Sequence, residues 1–151
     1  MQLIISQTLK YQKYMTDIKS LSDRIEIIPR KRIEDSRGWF LKTLTGKEDG
    51  LPNRTGEIYT VFSERGASRG GHFHKEAREW FTLLTGKSKL HLKDTNTGEL
   101  FTIELDSANP ITVVIPPFVA HRFDSIDNES FLLLAYTDEI YNPADTISLN
   151  Y

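Results

Sequence analysis

The sequence predicts an all-β fold, a barrel or a sandwich of short strands, and three observations lead to this prediction. Segments rich in aromatic and β-branched residues recur at roughly the 8–12-residue spacing that is typical of such folds. Clusters of Gly, Pro, Asn and Asp separate these segments, as expected of turns. No stretch between them repeats apolar residues with the period of a long helix.

The predicted strands begin near Ile25 and follow one another to the end of the chain. In residues 88–94, Leu90 and Leu92 alternate with polar residues, which predicts one buried and one exposed face. Gly86 is expected to close a tight hairpin, because glycine adopts positive φ easily. The predicted strands are residues 25–28, 38–44, 56–63, 79–85, 88–94, 99–105, 111–115, 120–125 and 130–137.

Composition and charge limit the classes of function. The 151 residues are 38% hydrophobic and carry a formal net charge of −2, which suits one globular domain and gives no reason to expect nucleic acid or a membrane as partner. The absence of cysteine excludes disulfides and thiolate chemistry. We predict an N-terminal arm over residues 1–24, which have no clean period, and one domain over residues 25–151. The first residues do not resemble a signal peptide, so a cytoplasmic location is expected.

Four residues that can bind a metal ion are predicted to lie close together. His72 and His74 share one face of a strand, since they are two residues apart. A polar bend over residues 75–78 allows Glu79 to begin a new strand, and His121 adds a third imidazole. Three imidazoles and a carboxylate form a ligand set for zinc, iron, manganese, nickel or cobalt.

The spacing of these residues resembles the double motif of cupins. A His-x-His pair is followed by a glutamate and a glycine, and Pro116 precedes His121 by five residues, with Phe118 where the motif usually has glycine. This resemblance implies a jelly-roll β-barrel. A cupin pocket whose histidines work without metal is the alternative. The fourth histidine, His91, shares its face with two lysines and is expected to lie in solvent.

Four segments resemble the dTDP-4-dehydrorhamnose 3,5-epimerases, which are RmlC-like nucleotide-sugar enzymes. The resemblance implies that His72 is the catalytic base, that a family lysine falls on Glu79 and that a catalytic tyrosine falls on Ala135. Tyr136 is one residue away and faces the other side of the strand unless a bulge intervenes. The segments are residues 35–40 (DSRGWF), 68–73 (SRGGHF), 115–121 (IPPFVAH) and 137–143 (TDEIYNP).

The chain is also similar to the C-terminal cupin domain of capsular-polysaccharide UDP-sugar enzymes, which shares the His-x-His pair, the glutamate and the late histidine. This resemblance implies that zinc is the preferred metal. It also implies an isomerase, an epimerase that acts at C3 of a 4-keto-6-deoxy sugar nucleotide in cell-surface polysaccharide biosynthesis, with C5 as a further position. A nucleotide-diphosphate sugar is then the substrate, and a homodimer is the expected assembly.

Candidate residues follow for each part of this reaction. If a metal is bound by His72, the base must be another group, and Tyr136 and Tyr141 are candidates; without metal, His72 is the base. Arg37 and Arg69 are candidates for binding the diphosphate, because guanidinium groups pair with phosphate oxygens. Two alternatives stay open: a sugar-binding cupin without turnover, and a metal-dependent 3,4-ketoisomerase or oxygenase on the same scaffold.

Overall fold

A computed structural model describes residues 20–35, 38–41, 43–44, 48–51 and 56–150, with the backbone alone for residues 32–35 and 38–41. Most of the predicted N-terminal arm therefore lies outside the described residues. The end of the arm forms a short helix, α1 (Leu21–Arg24), whose N-terminus is capped by Ser20: its Oγ accepts a hydrogen bond from the N–H of Asp23 at 3.3 Å. Within the described ranges, no helix has the length and apolar character needed to cross a membrane.

Strands account for most of the described chain, which confirms the prediction of an all-β fold. The strands are β1 (Glu26–Pro29), β2 (Arg32–Asp35), β3 (Gly38–Leu41), β4 (Glu57–Ser63), β5 (Ser68–Phe73), β6 (Glu79–Thr85), β7 (Lys87–Asp94), β8 (Leu100–Asp106), β9 (Ile111–Ile115), β10 (Val119–Ser125), β11 (Phe131–Thr137) and β12 (Ile147–Ser148).

Ten of these strands form two five-stranded antiparallel sheets. The first sheet has the order β1-β9-β6-β11-β4, and the second has the order β12-β5-β10-β7-β8, while β2 and β3 pair with each other. Consecutive strands therefore often belong to different sheets, so the chain passes repeatedly from one sheet to the other.

The inner faces of the two sheets form the main hydrophobic core. Leu90 and Leu92 of β7 are buried in it, as the alternation in the sequence predicts. Each large apolar side chain buried in this way contributes about 1.5–3 kcal/mol to folding. His91 lies on the opposite face of β7, half-buried rather than fully in solvent, and its Nε2 is 3.0 Å from Oδ2 of Asp124.

A second, smaller core covers the outer face of the first sheet. It contains Trp80, Val114 and Tyr136, and the half-buried Leu44 and Leu51 pack against it. Strand β6 is therefore buried on both faces, since its other side chains enter the main core.

The connection at Gly86 corrects one expectation from the sequence. Gly86 has a φ of 78°, as a turn glycine should, but the two strands it joins belong to different sheets and do not pair. A Cβ atom at this position would lie 2.3 Å from the carbonyl oxygen of Ser130. The glycine therefore allows a close crossing between the sheets rather than a hairpin.

Candidate functional site

The four predicted ligand residues come together at one end of the space between the sheets. The ring centroid of His72 lies 4.7 Å from that of His121 and 5.2 Å from that of His74. The Glu79 Oε2 atom lies 3.5 Å from His74 Nε2 and 3.4 Å from His121 Nε2. We refer to His72, His74, Glu79 and His121 together as the His/Glu cluster.

A β-bulge brings two of these histidines opposite each other. His72 pairs with His121 across β5 and β10, but the next pair along joins Gly70 to Arg122, so Gly71 is an extra residue. Both glycines have positive φ, 90° at Gly70 and 83° at Gly71, a conformation that other residues rarely adopt. The two glycines before His72 thus have a structural role in the site.

The polar bend between β5 and β6 resets the strand phase, as the sequence predicts. Glu79 is the first residue of β6, and Phe81 and Leu83 follow it into the main core. The end of the preceding strand is held by Phe118, whose N–H donates to the carbonyl oxygen of His74 at 2.7 Å. Phe118 has a φ of 65°, the left-handed conformation that explains why glycine is usual at this place in the motif.

Burial controls the charge of the His/Glu cluster. Burial, with repulsion from His121 as a smaller cause, lowers the pKa of His72 to about 4. Burial also lowers the pKa of His121 to about 3. The same effect raises the pKa of Glu79, because a buried carboxylate without water is costly to ionise. The two histidines are thus neutral at pH 7, the form in which imidazole accepts a proton or binds a metal.

Glu79 is separated from His74 and from His121 by a distance that suits two ligands of one divalent cation. Two ligands of one tetrahedral ion with bonds of about 2.1 Å lie about 3.4 Å apart, which is close to the separations of the Glu79 carboxylate from the two imidazoles. These separations are long for hydrogen bonds, and His74 Nε2 is buried without a hydrogen-bond partner. As the side chains stand, however, no group of three or more His, Asp or Glu residues in the described chain has the arrangement needed to hold a metal ion.

Tyr59 is a site residue that the sequence analysis missed. Its hydroxyl donates a hydrogen bond to Glu79 Oε1 at 2.8 Å. Tyr59 lies directly opposite Ala135 across β4 and β11, so its side chain points toward the same interior. Burial, together with the nearby Glu79, raises the pKa of Tyr59, which keeps the phenol protonated. Tyrosine is common in strands, so its sequence context gave no signal of this contact.

Two cavities meet at the His/Glu cluster, and Tyr59 and His72 line both of them. The larger has a volume of about 500 Å³ and extends past Tyr141, which is 66% exposed at its mouth. The smaller has a volume of about 340 Å³ and includes Arg69 in its wall. Both volumes are in the range of small-molecule sites.

Tyr136 lies on the outer face of the first sheet and lines neither of the two cavities. No register shift occurs next to it: β11 and β4 stay in register from Phe131 to Thr137. Its side chain therefore faces the outside of the first sheet and packs on Trp80, with ring centroids 5.2 Å apart. The other predicted substrate-binding arginine, Arg37, lies outside the described residues.

Comparisons with known proteins identify the family. Residues 33–147 match the family model described as "Polysaccharide biosynthesis C-terminal domain". The spore coat polysaccharide biosynthesis protein SpsL of Bacillus subtilis is 24% identical over 126 residues, which cover 80% of this chain and 83% of SpsL. The UDP-2-acetamido-2,6-β-L-arabino-hexul-4-ose reductase of Pseudomonas aeruginosa is 21% identical over 109 residues, or 72% of this chain. The matched region is only 27% of that enzyme's length.

A solved structure supports the same assignment at the level of the fold. The dTDP-6-deoxy-D-glucose-3,5-epimerase RmlC from Legionella pneumophila, in complex with dTDP-4-keto-L-rhamnose, superposes with a TM-score of 0.76 at 22% identity. The match covers 89% of this chain and 77% of the epimerase, which confirms the RmlC-like cupin fold. Since the family model matches more than half of the chain, the protein belongs to the polysaccharide biosynthesis C-terminal domain family and has an RmlC-like fold.

Proposed function

We propose that the protein epimerises a nucleotide-linked 4-keto-6-deoxy sugar at C3, in a pathway that makes a polysaccharide. The observation that carries this proposal is the His/Glu cluster, with neutral imidazoles at His72 and His121 and with the Tyr59 hydroxyl, at the meeting point of two cavities. The family match and the name of SpsL support the pathway. The ligand of the superposed epimerase is a nucleotide-linked 4-keto sugar, which supports the substrate class.

A divalent cation, zinc before iron, manganese or nickel, is part of the proposal. His74, Glu79 and His121 would hold it, since the Glu79 carboxylate lies from each of the two imidazoles at the separation of two ligands of one ion. When bound, such a cation supplies Lewis-acid polarisation of a keto oxygen. The cation would also balance the negative charge of Glu79. Among the described residues, the basic groups within 4 Å of this carboxylate are the imidazoles of His74 and His121.

His72 is proposed as the base. Among the described ion pairs, Glu79 is joined to His74 and His121 and not to His72, while His72 lines both cavities. Its lowered pKa leaves a neutral ring that can take the C3 proton. The electron pair of the C3–H bond then moves into the C3–C4 bond, and the carbonyl π pair moves onto the C4 oxygen. The ring later returns its proton to solvent.

Tyr59 is proposed to deliver a proton to C3 from the other face of the sugar. It is the phenol that contacts the His/Glu cluster, and it lines both cavities. As its O–H bond breaks, the enolate pair forms the new C3–H bond, and the phenolate regains a proton from water. Tyr141, which lines the larger cavity, is proposed to contact a part of the substrate other than C3.

The diphosphate of the substrate is proposed to lie near Arg69, in the wall of the smaller cavity. A guanidinium group forms paired, charge-assisted hydrogen bonds with phosphate oxygens. The larger cavity carries the carboxylates of Glu57 and Glu139, which would repel a diphosphate. This difference in charge favours the smaller cavity for the nucleotide end of the substrate.

A homodimer is also proposed, on the basis of the family resemblance. The outer face of the edge strand β4 offers apolar surface for it, since Ile58 is 65% exposed and Phe62 is 52% exposed. Sedimentation velocity at micromolar concentration should give the mass of two chains. A single species with the mass of one chain would contradict the proposal.

Proton exchange at C3 tests the function. UDP- and dTDP-linked 4-keto-6-deoxy sugars are incubated with the protein in D2O and followed by NMR, and deuterium is expected to enter at C3. If the sugar nucleotide binds but no deuterium enters at C3, the protein is a sugar-binding cupin rather than an epimerase. Movement of the keto group from C4 to C3 would identify a 3,4-ketoisomerase instead.

Metal analysis of two variants tests the assignment of base and ligands. Protein purified without chelator should contain about one zinc ion per chain. His72→Gln should keep that ion and lose C3 exchange, whereas His74→Gln should lose both. Loss of the ion in His72→Gln would make His72 a ligand and exclude it as the base.

A further inference from the structure

Asp145 is a buried carboxylate that has no role in the proposed reaction as described above. It lies between β11 and β12 and is 7% exposed. β12 pairs with β5, so that Ile147 lies opposite Phe73. This pairing lays the C-terminal segment beside the strand that carries the histidines and brings Asp145 next to the bend that follows His74.

The Asp145 carboxylate accepts backbone hydrogen bonds from three consecutive residues of this bend. Its Oδ1 accepts from the N–H of Lys75 at 2.8 Å and from that of Glu76 at 3.2 Å, and its Oδ2 accepts from the N–H of Ala77 at 3.3 Å. Such a set of N–H groups stabilises a buried anion. Because the bend joins β5 to β6, the carboxylate holds the ends of both strands in a fixed relation.

The same carboxylate faces one nitrogen of His74. Asp145 Oδ2 lies 3.6 Å from Nδ1 of the ring, while Nε2, on the other side, lies 3.5 Å from Glu79 Oε2. A neutral imidazole carries its proton on one nitrogen. Oε2 of Glu79 is shared, since it also lies 3.4 Å from His121 Nε2, whereas in the described ion pairs Asp145 faces His74 alone. This difference favours the proton on Nδ1. The lone pair is then on Nε2, which is buried and has no hydrogen-bond partner.

We propose that Asp145 is a positioning residue that fixes the tautomer and the ring orientation of His74, so that Nε2 presents its lone pair to the His/Glu cluster. The inference rests on the proposed function in one respect: the cation that the Nε2 lone pair would bind is the one proposed there. The tautomer itself is a property of the metal-free protein and is tested separately.

Asp145→Asn is the informative change, because it keeps the shape of the side chain. The amide oxygen is expected to take the place of Oδ1, where it accepts from the N–H groups of Lys75 and Glu76. The amide NH2 then replaces Oδ2 and faces His74 Nδ1, and the hydrogen bond from the N–H of Ala77 is lost. Since this NH2 is a donor, it favours a lone pair on Nδ1 and moves the ring proton to Nε2.

Long-range ¹H–¹⁵N NMR of the metal-free protein distinguishes the two tautomers at a pH of about 8, well above the ordinary pKa of histidine. His74 should carry its proton on Nδ1 in the native protein and on Nε2 in Asp145→Asn. A native ring protonated on Nε2 would overturn the inference even if the variant failed to fold. An Nδ1–H tautomer in both proteins would overturn it as well.

Zinc affinity, measured by competition with a chromophoric chelator, is the second readout. The zinc dissociation constant of Asp145→Asn should be about 10–100-fold higher than that of the native protein, the usual effect of losing a group that orients a ligand. An unchanged constant would contradict the inference. If the native protein binds no zinc, the proposed cation fails, and the tautomer still decides the role of Asp145.

Asp94→Asn is the matched control. Asp94 is also a buried carboxylate that caps a turn, accepting from the N–H of Asn96 at 2.7 Å and of Thr97 at 3.0 Å. Its substitution removes a comparable cap from the turn after β7, where the carboxylate pairs with Arg24 and, among the described ion pairs, with no histidine. It should lower stability without changing the tautomer of His74 or the zinc dissociation constant. If the tautomer of His74 also changed in this control, the change seen in Asp145→Asn would be explained by general destabilisation, and the inference would fail.

Discussion

Replacing Gly70 with alanine should destabilise the protein and damage the site together. Gly70 has a φ of 90°, and a Cβ atom there would lie 2.7 Å from the carbonyl oxygen of His121. The left-handed conformation costs a non-glycine residue about 1–2 kcal/mol. Relieving the close approach requires a backbone shift, and such overpacking costs about 1–3 kcal/mol more. The expected loss is therefore about 2–5 kcal/mol in the free energy of unfolding.

The chain contains its own control for this prediction. Gly98 has a φ of 78°, but a Cβ atom there would have no neighbour within 4 Å. Gly98→Ala should therefore cost only the conformational part, about 1–2 kcal/mol. Urea unfolding followed by tryptophan fluorescence measures both variants on the same scale.

The two variants should also differ in function. Gly70 forms the bulge that places His72 opposite His121, so Gly70→Ala should weaken zinc binding and slow C3 exchange. Gly98→Ala should leave both unchanged. Equal losses of stability in the two variants would refute the reasoning from the close approach. Normal zinc binding in Gly70→Ala would show that the bulge does not position the histidines.

Three further predictions concern the cavities. Tyr59→Phe removes the hydrogen bond to Glu79 and should slow C3 exchange by about 10²–10⁴-fold. Tyr136→Phe, a change on the outer face of the first sheet, should keep the native rate. Equal rates in the two variants would show that Tyr59 takes no part in the reaction. In steady-state kinetics, Arg69→Ala should raise KM about 10–100-fold with little change in kcat. The reason is that a diphosphate contact far from C3 stabilises the ground state and the transition state equally. A fall in kcat alone would argue against that contact. Finally, the free energy of unfolding of the metal-free protein should fall as the pH decreases from about 6.5 to about 4. The unfolded chain then binds protons on His72 and His121 that the folded chain does not, because burial lowers the pKa of His72 to about 4 and that of His121 to about 3. Glu79 acts in the opposite sense, but it is present in both the native protein and His72→Gln. The free energy of unfolding of His72→Gln should therefore depend on pH less steeply than that of the native protein, by up to about 1.4 kcal/mol per pH unit. Identical slopes for the two proteins would contradict the lowered pKa of His72.

Tyr59 and Tyr136 illustrate what local patterns leave undetermined. Strand alternation correctly implies that residues 135 and 136 face opposite sides, but which tyrosine enters the interior depends on the strand that pairs with β11. Since β4 is that strand, Tyr59 lies opposite Ala135 and supplies a phenol to the same region. Pairing between segments more than seventy residues apart is a tertiary choice that no local period encodes.

Gly86 and Asp145 make the same point. A glycine between two strand-like segments predicts a hairpin, but the strands on either side of Gly86 belong to different sheets. Asp145 has no informative neighbours in the sequence. Its contact with the bend after His74 exists only because β12 pairs with β5.

The sequence by itself determined the all-β class, the four residues of the His/Glu cluster and the reset of strand phase before Glu79. These features depend on spacing along one or two strands, where side-chain direction follows directly from the two-residue period. The tertiary structure alone decided which tyrosine enters the cavities, where the chain crosses between sheets and which carboxylate lies beside His74 Nδ1. Those outcomes depend on strand order and on which sheet faces are covered, and both are fixed by long-range packing rather than by local sequence.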